Sequence, residues 1–132
     1  MNAASVNLIV IRSKDINRAK TFYETLGLSF TKHRHGKGLD HFASDSGDVV
    51  FEIYPLRDSE HPTTSTRLGF TVYSCDEVTK KLHEAGYTVR SRPNDAPWGR
   101  VAVVEDFDGH KVEVLESGPN KTLQATAATP GS

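Results

Sequence analysis

The sequence has little of what holds a chain together from outside its core. Of its 132 residues one is a cysteine, Cys75. An intrachain disulfide and a thiolate zinc cluster are excluded, and a reducing compartment suits the chain. A surplus of one charge is missing too: 16 Lys and Arg stand against 17 Asp and Glu, a net charge of −1. That excludes a nucleic-acid binder driven by bulk basic charge. It also gives no overall acidic field for a cationic ligand, although a local one can hide in the sum. Apolar runs last a few residues, as at residues 8–11, against the roughly 20 needed to span a bilayer. The N-terminal residues Met-Asn-Ala-Ala-Ser have neither the basic n-region nor the long apolar h-region of a signal peptide. These absences point to a cytoplasmic protein with no nucleic-acid or membrane partner. What is present fits a globular protein: 36% of residues are hydrophobic and 25% charged. The length suits about one domain able to bury a core.

The chain reads as one pattern written twice. Residues 6–12 form a short β-branched run, which predicts a strand. Ser13 or Asp15 caps the helix that follows, in which Ile16, Ala19, Phe22, Tyr23 and Leu26 make one apolar stripe ended by Gly27. Three strands are predicted at 28–33, 39–44 and 49–54, separated by Gly-rich turns at 35–38 and 45–48. Residues 55–65, polar and holding Pro55 and Pro62, read as a linker. The second half repeats the order. A strand at 66–73 leads to a capping box of Ser74 and Glu77, then a helix with Val78, Leu82 and Ala85 buried and Gly86 at its end. Strands follow at 87–92, 100–105 and 111–116, the last two joined by the turn Asp106-Phe107-Asp108-Gly109.

The predicted class is α+β: two βαβββ modules forming cupped mixed sheets with helices on the outer faces. One domain covers 1–117, with module one at 6–55, a linker at 56–65 and module two at 66–117. Residues 118–132 are rich in Gly, Pro, Thr, Ala and Ser, and are expected to be disordered. Strand alternation supports two unlike faces. Ile9 and Ile11 oppose Leu8, Val10 and Arg12. Phe51 and Ile53 oppose Val50, Glu52 and Tyr54. Leu68, Phe70 and Val72 oppose Arg67, Gly69 and Thr71, and Val112 and Val114 oppose Lys111, Glu113 and Leu115. One face packs a helix; the other is mixed, as a ligand cavity requires.

Three stretches carry a family resemblance: Asp15 with Phe22-Tyr23 and Leu26-Gly27, then Pro97-Trp98-Gly99-Arg100, then the run from Glu105 to Glu113. With the repeated βαβββ order, they resemble the vicinal oxygen chelate superfamily of glyoxalase I, extradiol dioxygenases, fosfomycin-resistance enzymes and bleomycin-resistance proteins. Phe107 stands where that family commonly has proline. The resemblance implies a site with one metal ligand on each of the first, fourth, fifth and eighth strands. Those positions fall on Leu8, Glu52, Arg67 and Glu113. Leu has no donor atom, and Arg offers only hydrogen-bond donors and a positive charge. The expectation is therefore a site without the family's metal, with Arg67 bridging Glu52 and Glu113.

Further residues join the candidate site. The resemblance matches Arg12 to an arginine that faces an anionic substrate in glyoxalase I. Arg12 and Arg67 suit a carboxylate or phosphate, or serve as structural ion-pair partners. Trp98 either stacks on a flat ligand at the cavity mouth or anchors its loop, and Tyr23 and Tyr54 read as core or wall. His33, His35 and His41 flank the second and third strands; His41 shares the cavity face, and a divalent metal held by His41, Glu52 and Glu113 is the alternative to none. His61, His83 and His110 read as surface positions. Cys75 lies near a helix N-terminus, a placement that lowers a thiol pKa. Three functions stay open: a metal-free small-molecule binder, a glyoxalase-like lyase, isomerase or thiol transferase with Glu52 or Glu113 as general base, and a non-catalytic interaction module. The resemblance also implies a homodimer, with modules paired within or across chains.

Overall fold

A computed structural model describes residues 3–34, 36–45 and 47–117. His35 and the 118–132 tail lie outside the described residues. The order is β1 (Leu8–Ser13), α1 (Ile16–Leu26), β2 (Thr31–His33), β3 (His41–Ser44), β4 (Val50–Pro55), β5 (Leu68–Val72), α2 (Cys75–Glu84), β6 (Val89–Ala96), β7 (Gly99–Glu105) and β8 (Lys111–Glu116). This is βαβββ twice. Each module makes its own mixed four-stranded sheet, ordered β1-β4-β3-β2 and β5-β8-β7-β6. The outer pairs β1–β4 and β5–β8 are parallel and the rest antiparallel. Two compact units result, one running to Thr63 and one from Thr64, with Thr25–Gly27 grouped with the second. No helix among the described residues is long and apolar enough to cross a membrane.

In the first unit Asp15 caps α1, its Oδ1 accepting from the amides of Asn17 and Arg18, both at 3.1 Å. Ala19, Phe22 and Tyr23 are fully buried, and the Tyr23 ring meets Phe51 of β4 edge-on at 5.0 Å. Ile11, Phe42 and Ile53 complete that apolar side. β2 is shorter than the sequence predicts. The Leu28 amide still bonds to Tyr23 O, closing α1, and Phe30 turns inward against Phe42 and Phe51. Only three residues are left to pair with β3.

In the second unit Ser74 accepts from the Glu77 amide at 3.2 Å, the predicted cap. Cys75, Val78, Thr79 and Leu82 are buried, and α2 packs on β6, β7 and β8. The sheet residues buried with them are Leu68, Val72, Ala102, Val104, Val112 and Val114. β6 runs on through Pro93 to Ala96, past the predicted end at Arg92. It does so because it is an edge strand with register shifts on both sides of Ser91, where a missing amide breaks no ladder.

Candidate functional site

Register fixes which side chains share the open face of the first sheet. Val10 pairs with Glu52 and Arg12 with Tyr54 across β1–β4; Ala43 pairs with Glu52 across β3–β4; His33 pairs with His41 across β2–β3. Paired residues project to the same side, so Arg12, Tyr54, His41 and His33 form a row across the sheet with Glu52 beside it. The rings are in contact. Tyr54 and His41 stack at 4.0 Å with planes 9° apart, and His33 stacks on His41 at 5.8 Å. The Arg12 guanidinium lies 5.1 Å from the Tyr54 ring centre. Because β1 and β3 flank β4, cation and imidazole approach Tyr54 from opposite sides.

His41 is buried, and its orientation is set by the backbone. Nδ1 lies 3.2 Å from Leu39 O. A carbonyl only accepts, so Nδ1 carries a proton and Nε2 is turned to Glu52 Oε2, 3.7 Å away. Glu52 is partly exposed and can accept a hydrogen bond or a proton from a bound molecule. His41 is thus a wall residue whose ring is stacked against Tyr54, with Nε2 beside Glu52 but beyond hydrogen-bond distance.

Arg12 is tied to the segment after β4, which the sequence presents only as a linker. The Arg12 amide donates to Thr63 Oγ1 at 3.0 Å, and Nη1 donates to Pro55 O at 3.3 Å. Nη2 lies 3.5 Å from Glu60 Oε2. Glu60 closes its own turn: its amide bonds to Arg57 O, and its Oε1 accepts from the Arg57 amide at 2.9 Å. No periodicity marks Glu60, and sequence reasoning missed it.

The second unit holds the other candidates. Arg67 lies 3.8 Å from Glu113, with both side chains substantially exposed. Glu113 faces Gly69 and Val103 across β5–β8 and β7–β8. Trp98 is in the two-residue turn between β6 and β7, and is 38% exposed. Arg100, beside it, grips Asp76 in a fork of 2.8 and 3.1 Å and Asp95 at 3.0 Å. This ties the first turn of α2 to the hairpin, and the guanidinium holds the Asp76 carboxyl below the usual carboxylate range. Cys75 corrects an expectation. Burial dominates over the helix terminus and pushes its thiol up rather than down, and Sγ lies 3.6 Å from Val114 O.

His110 is a second correction. It is fully buried, not a surface residue. Its Nδ1 lies 2.8 Å from Asp106 Oδ2. Asp106 Oδ1 accepts from the amides of Asp108, Gly109 and His110 at 3.0, 2.9 and 2.9 Å. A sequence full of polar neighbours suggested solvent, but the carboxylate satisfies the imidazole inside the turn. Asp106, Asp108 and His110 bring donor atoms within 4.8 Å of one another, a spacing compatible with a metal. Both Asp106 oxygens are already committed to the turn, so the cluster reads as a hairpin lock.

The residues at the implied metal positions do not suit a metal. Leu8 is half exposed and has no donor atom. Arg67 sets a permanent cation beside Glu113. Of the four implied positions only Glu52 and Glu113 offer donor atoms, one carboxylate in each unit, and the nitrogen beside Glu52 is His41 Nε2, 3.7 Å from its Oε2.

Comparison with known proteins agrees with this architecture. An uncharacterized protein of Mycolicibacterium smegmatis is 30% identical over 111 residues, 83% of this chain and 91% of the relative. Among solved structures, TnmS3, an antibiotic binding protein from Streptomyces sp. CB03234, superposes with a TM-score of 0.70 at 25% identity, covering 89% of this chain and 99% of that one. A glyoxalase/bleomycin resistance protein from the same Streptomyces strain gives 0.65 at 27% identity, covering 84% and 99%. The family described as Glyoxalase/Bleomycin resistance protein/Dioxygenase superfamily matches residues 5–114. With two βαβββ modules, a mixed sheet in each and a sequence match across nearly the whole described chain, the protein belongs to this superfamily.

Proposed function

We propose that this chain binds a small planar organic molecule on the open face of the β1-β4-β3-β2 sheet, without a metal ion. The observation that carries the reading is the bracketing of Tyr54 by a cation and a carboxylate on one face. Arg12 touches the ring, and Glu52 precedes it by two residues on the same strand. Arg12 lies two residues beyond Val10, the register partner of Glu52. Strand geometry therefore separates the Arg12 and Glu52 backbones by about 8 Å, the length of one substituted ring. The ligand class that fits has an anionic or acceptor group at the Arg12 end and a hydrogen-bond donor at the Glu52 end. Likeness to TnmS3, an antibiotic binding protein, supports small-molecule binding in general. The misfit of Leu8 and Arg67 to metal coordination supports binding without one.

The probe is 4-hydroxybenzoate, which carries both groups, against benzoate, which lacks the donor, and phenol, which lacks the anion. Calorimetric titration at neutral pH in the presence of a chelator is expected to rank 4-hydroxybenzoate first. Its lead over phenol is expected to be about tenfold, or about 1.4 kcal/mol, the low end for a hydrogen bond to a charged group. Arg12→Gln should remove that lead. Equal affinity for all three compounds, or none for any, contradicts the proposal.

A further inference from the structure

The Arg12 guanidinium is occupied, but poorly. A guanidinium carries five N–H donors in a planar fork that matches a carboxylate through two short parallel bonds. Here its polar side-chain contacts among the described residues are one bond of 3.3 Å to Pro55 O and one ionic contact of 3.5 Å to a single Glu60 oxygen. The other Glu60 oxygen is held by the Arg57 amide at 2.9 Å. With that oxygen engaged there, a single Glu60 oxygen meets the guanidinium. Both members of the pair are roughly 30% exposed, at 28% and 30%. A contact so placed is weak and easily exchanged.

We propose that Glu60 is a specificity-determining residue: it stands in for the anionic group of the ligand at Arg12, and an arriving anion must take its place. The inference rests on the binding face proposed above. Glu60 belongs to a short turn closed by its own bonds to Arg57. The turn survives loss of the Arg12 contact, so the carboxylate can yield without unfolding the segment. The segment stays anchored through the Arg12 amide bond to Thr63 Oγ1, which involves no guanidinium atom. A weak internal anion at this position screens out ligands of low charge density and admits those able to make the full fork. Glu60 therefore sets the threshold for anionic ligands, while Arg12 supplies the attraction.

The test titrates 4-hydroxybenzoate into four proteins: wild type, Glu60→Gln, Asp58→Asn and Arg12→Gln. Asp58 is an exposed acid in the same turn, so its variant removes the same charge without touching the competitor. Glu60→Gln is expected to bind about fivefold more tightly than wild type. Asp58→Asn should match wild type, and Arg12→Gln should bind more weakly than either. If the two neutralised acids tighten binding equally, the effect is general charge and the stand-in role is overturned. An unchanged or weaker Glu60→Gln overturns it as well, while leaving the binding face intact. Absence of binding to all four proteins overturns the binding face itself, and this role with it.

Discussion

Asp106→Ala is expected to lower the unfolding free energy by about 4 kcal/mol, within the range for breaking a buried, hydrogen-bonded pair. The substitution removes the side-chain acceptor shared by three backbone amides, of which Gly109 keeps its bond to the Asp106 carbonyl, and takes the carboxylate partner from a fully buried imidazole. Each buried polar group left unsatisfied costs about 1–3 kcal/mol. Asp106→Asn keeps one oxygen for the amides and should lose about half as much. Urea unfolding followed by circular dichroism measures both. A loss under about 1 kcal/mol for the alanine variant would show that water replaces the carboxylate, and would reopen the Asp106–Asp108–His110 cluster to another role.

Gly99→Ala is expected to cost about 3 kcal/mol or more, and for a different reason. Gly99 has φ of +143°, and a Cβ there would sit inside contact distance of the Glu116 carbonyl oxygen and against the Leu115 side chain. The backbone cannot retreat without breaking the pairing of Arg100 with Glu116. Gly109 is the control. Its φ is +104°, but among the described residues the only neighbour its Cβ would meet is Thr64, at 4.0 Å. Gly109→Ala therefore carries backbone strain alone, about 1–2 kcal/mol. Equal losses at the two positions would mean that the close approach at Glu116 is relieved cheaply.

The architecture was legible because each module states its periodicity openly. Alternation along β1, β4, β5 and β8 separated the helix-facing residues from the mixed face, and burial follows it: Ile11, Phe51, Ile53, Val112 and Val114 are buried, while Glu52 and Glu113 are partly exposed. Asp15 and Ser74 announced the helix starts by side-chain chemistry that acts within three residues. The end of β6 was placed too early, at Arg92; the strand runs on through Pro93 because a proline is tolerated at a bulged edge, and edges are a property of topology.

The candidate site was legible only in part. Counting put Glu52 with Tyr54 on one face of β4 and Arg12 on one face of β1, and His41 was a separate candidate; the register of the first sheet is what sets the four side by side. The sequence did not show how they touch. The stacking of His41 on Tyr54 and the turn of Nε2 toward Glu52 depend on a carbonyl at Leu39. Glu60 was invisible for a simpler reason. It lies in an aperiodic polar segment, and only the folded path of residues 55–63 brings it to Arg12. His110 was misassigned because sequence neighbours predict solvent when the decisive partner is a carboxylate held inside the turn.

The central claim is binding of a planar organic ligand without a metal. Native mass spectrometry of protein purified without added metal, alone and mixed with 4-hydroxybenzoate, tests it most directly. The predicted result is the bare polypeptide mass, joined on mixing by one 4-hydroxybenzoate per chain with no metal. Stoichiometric zinc, nickel, manganese or iron in the purified protein, or a ligand adduct that forms only after metal is supplied, would contradict it.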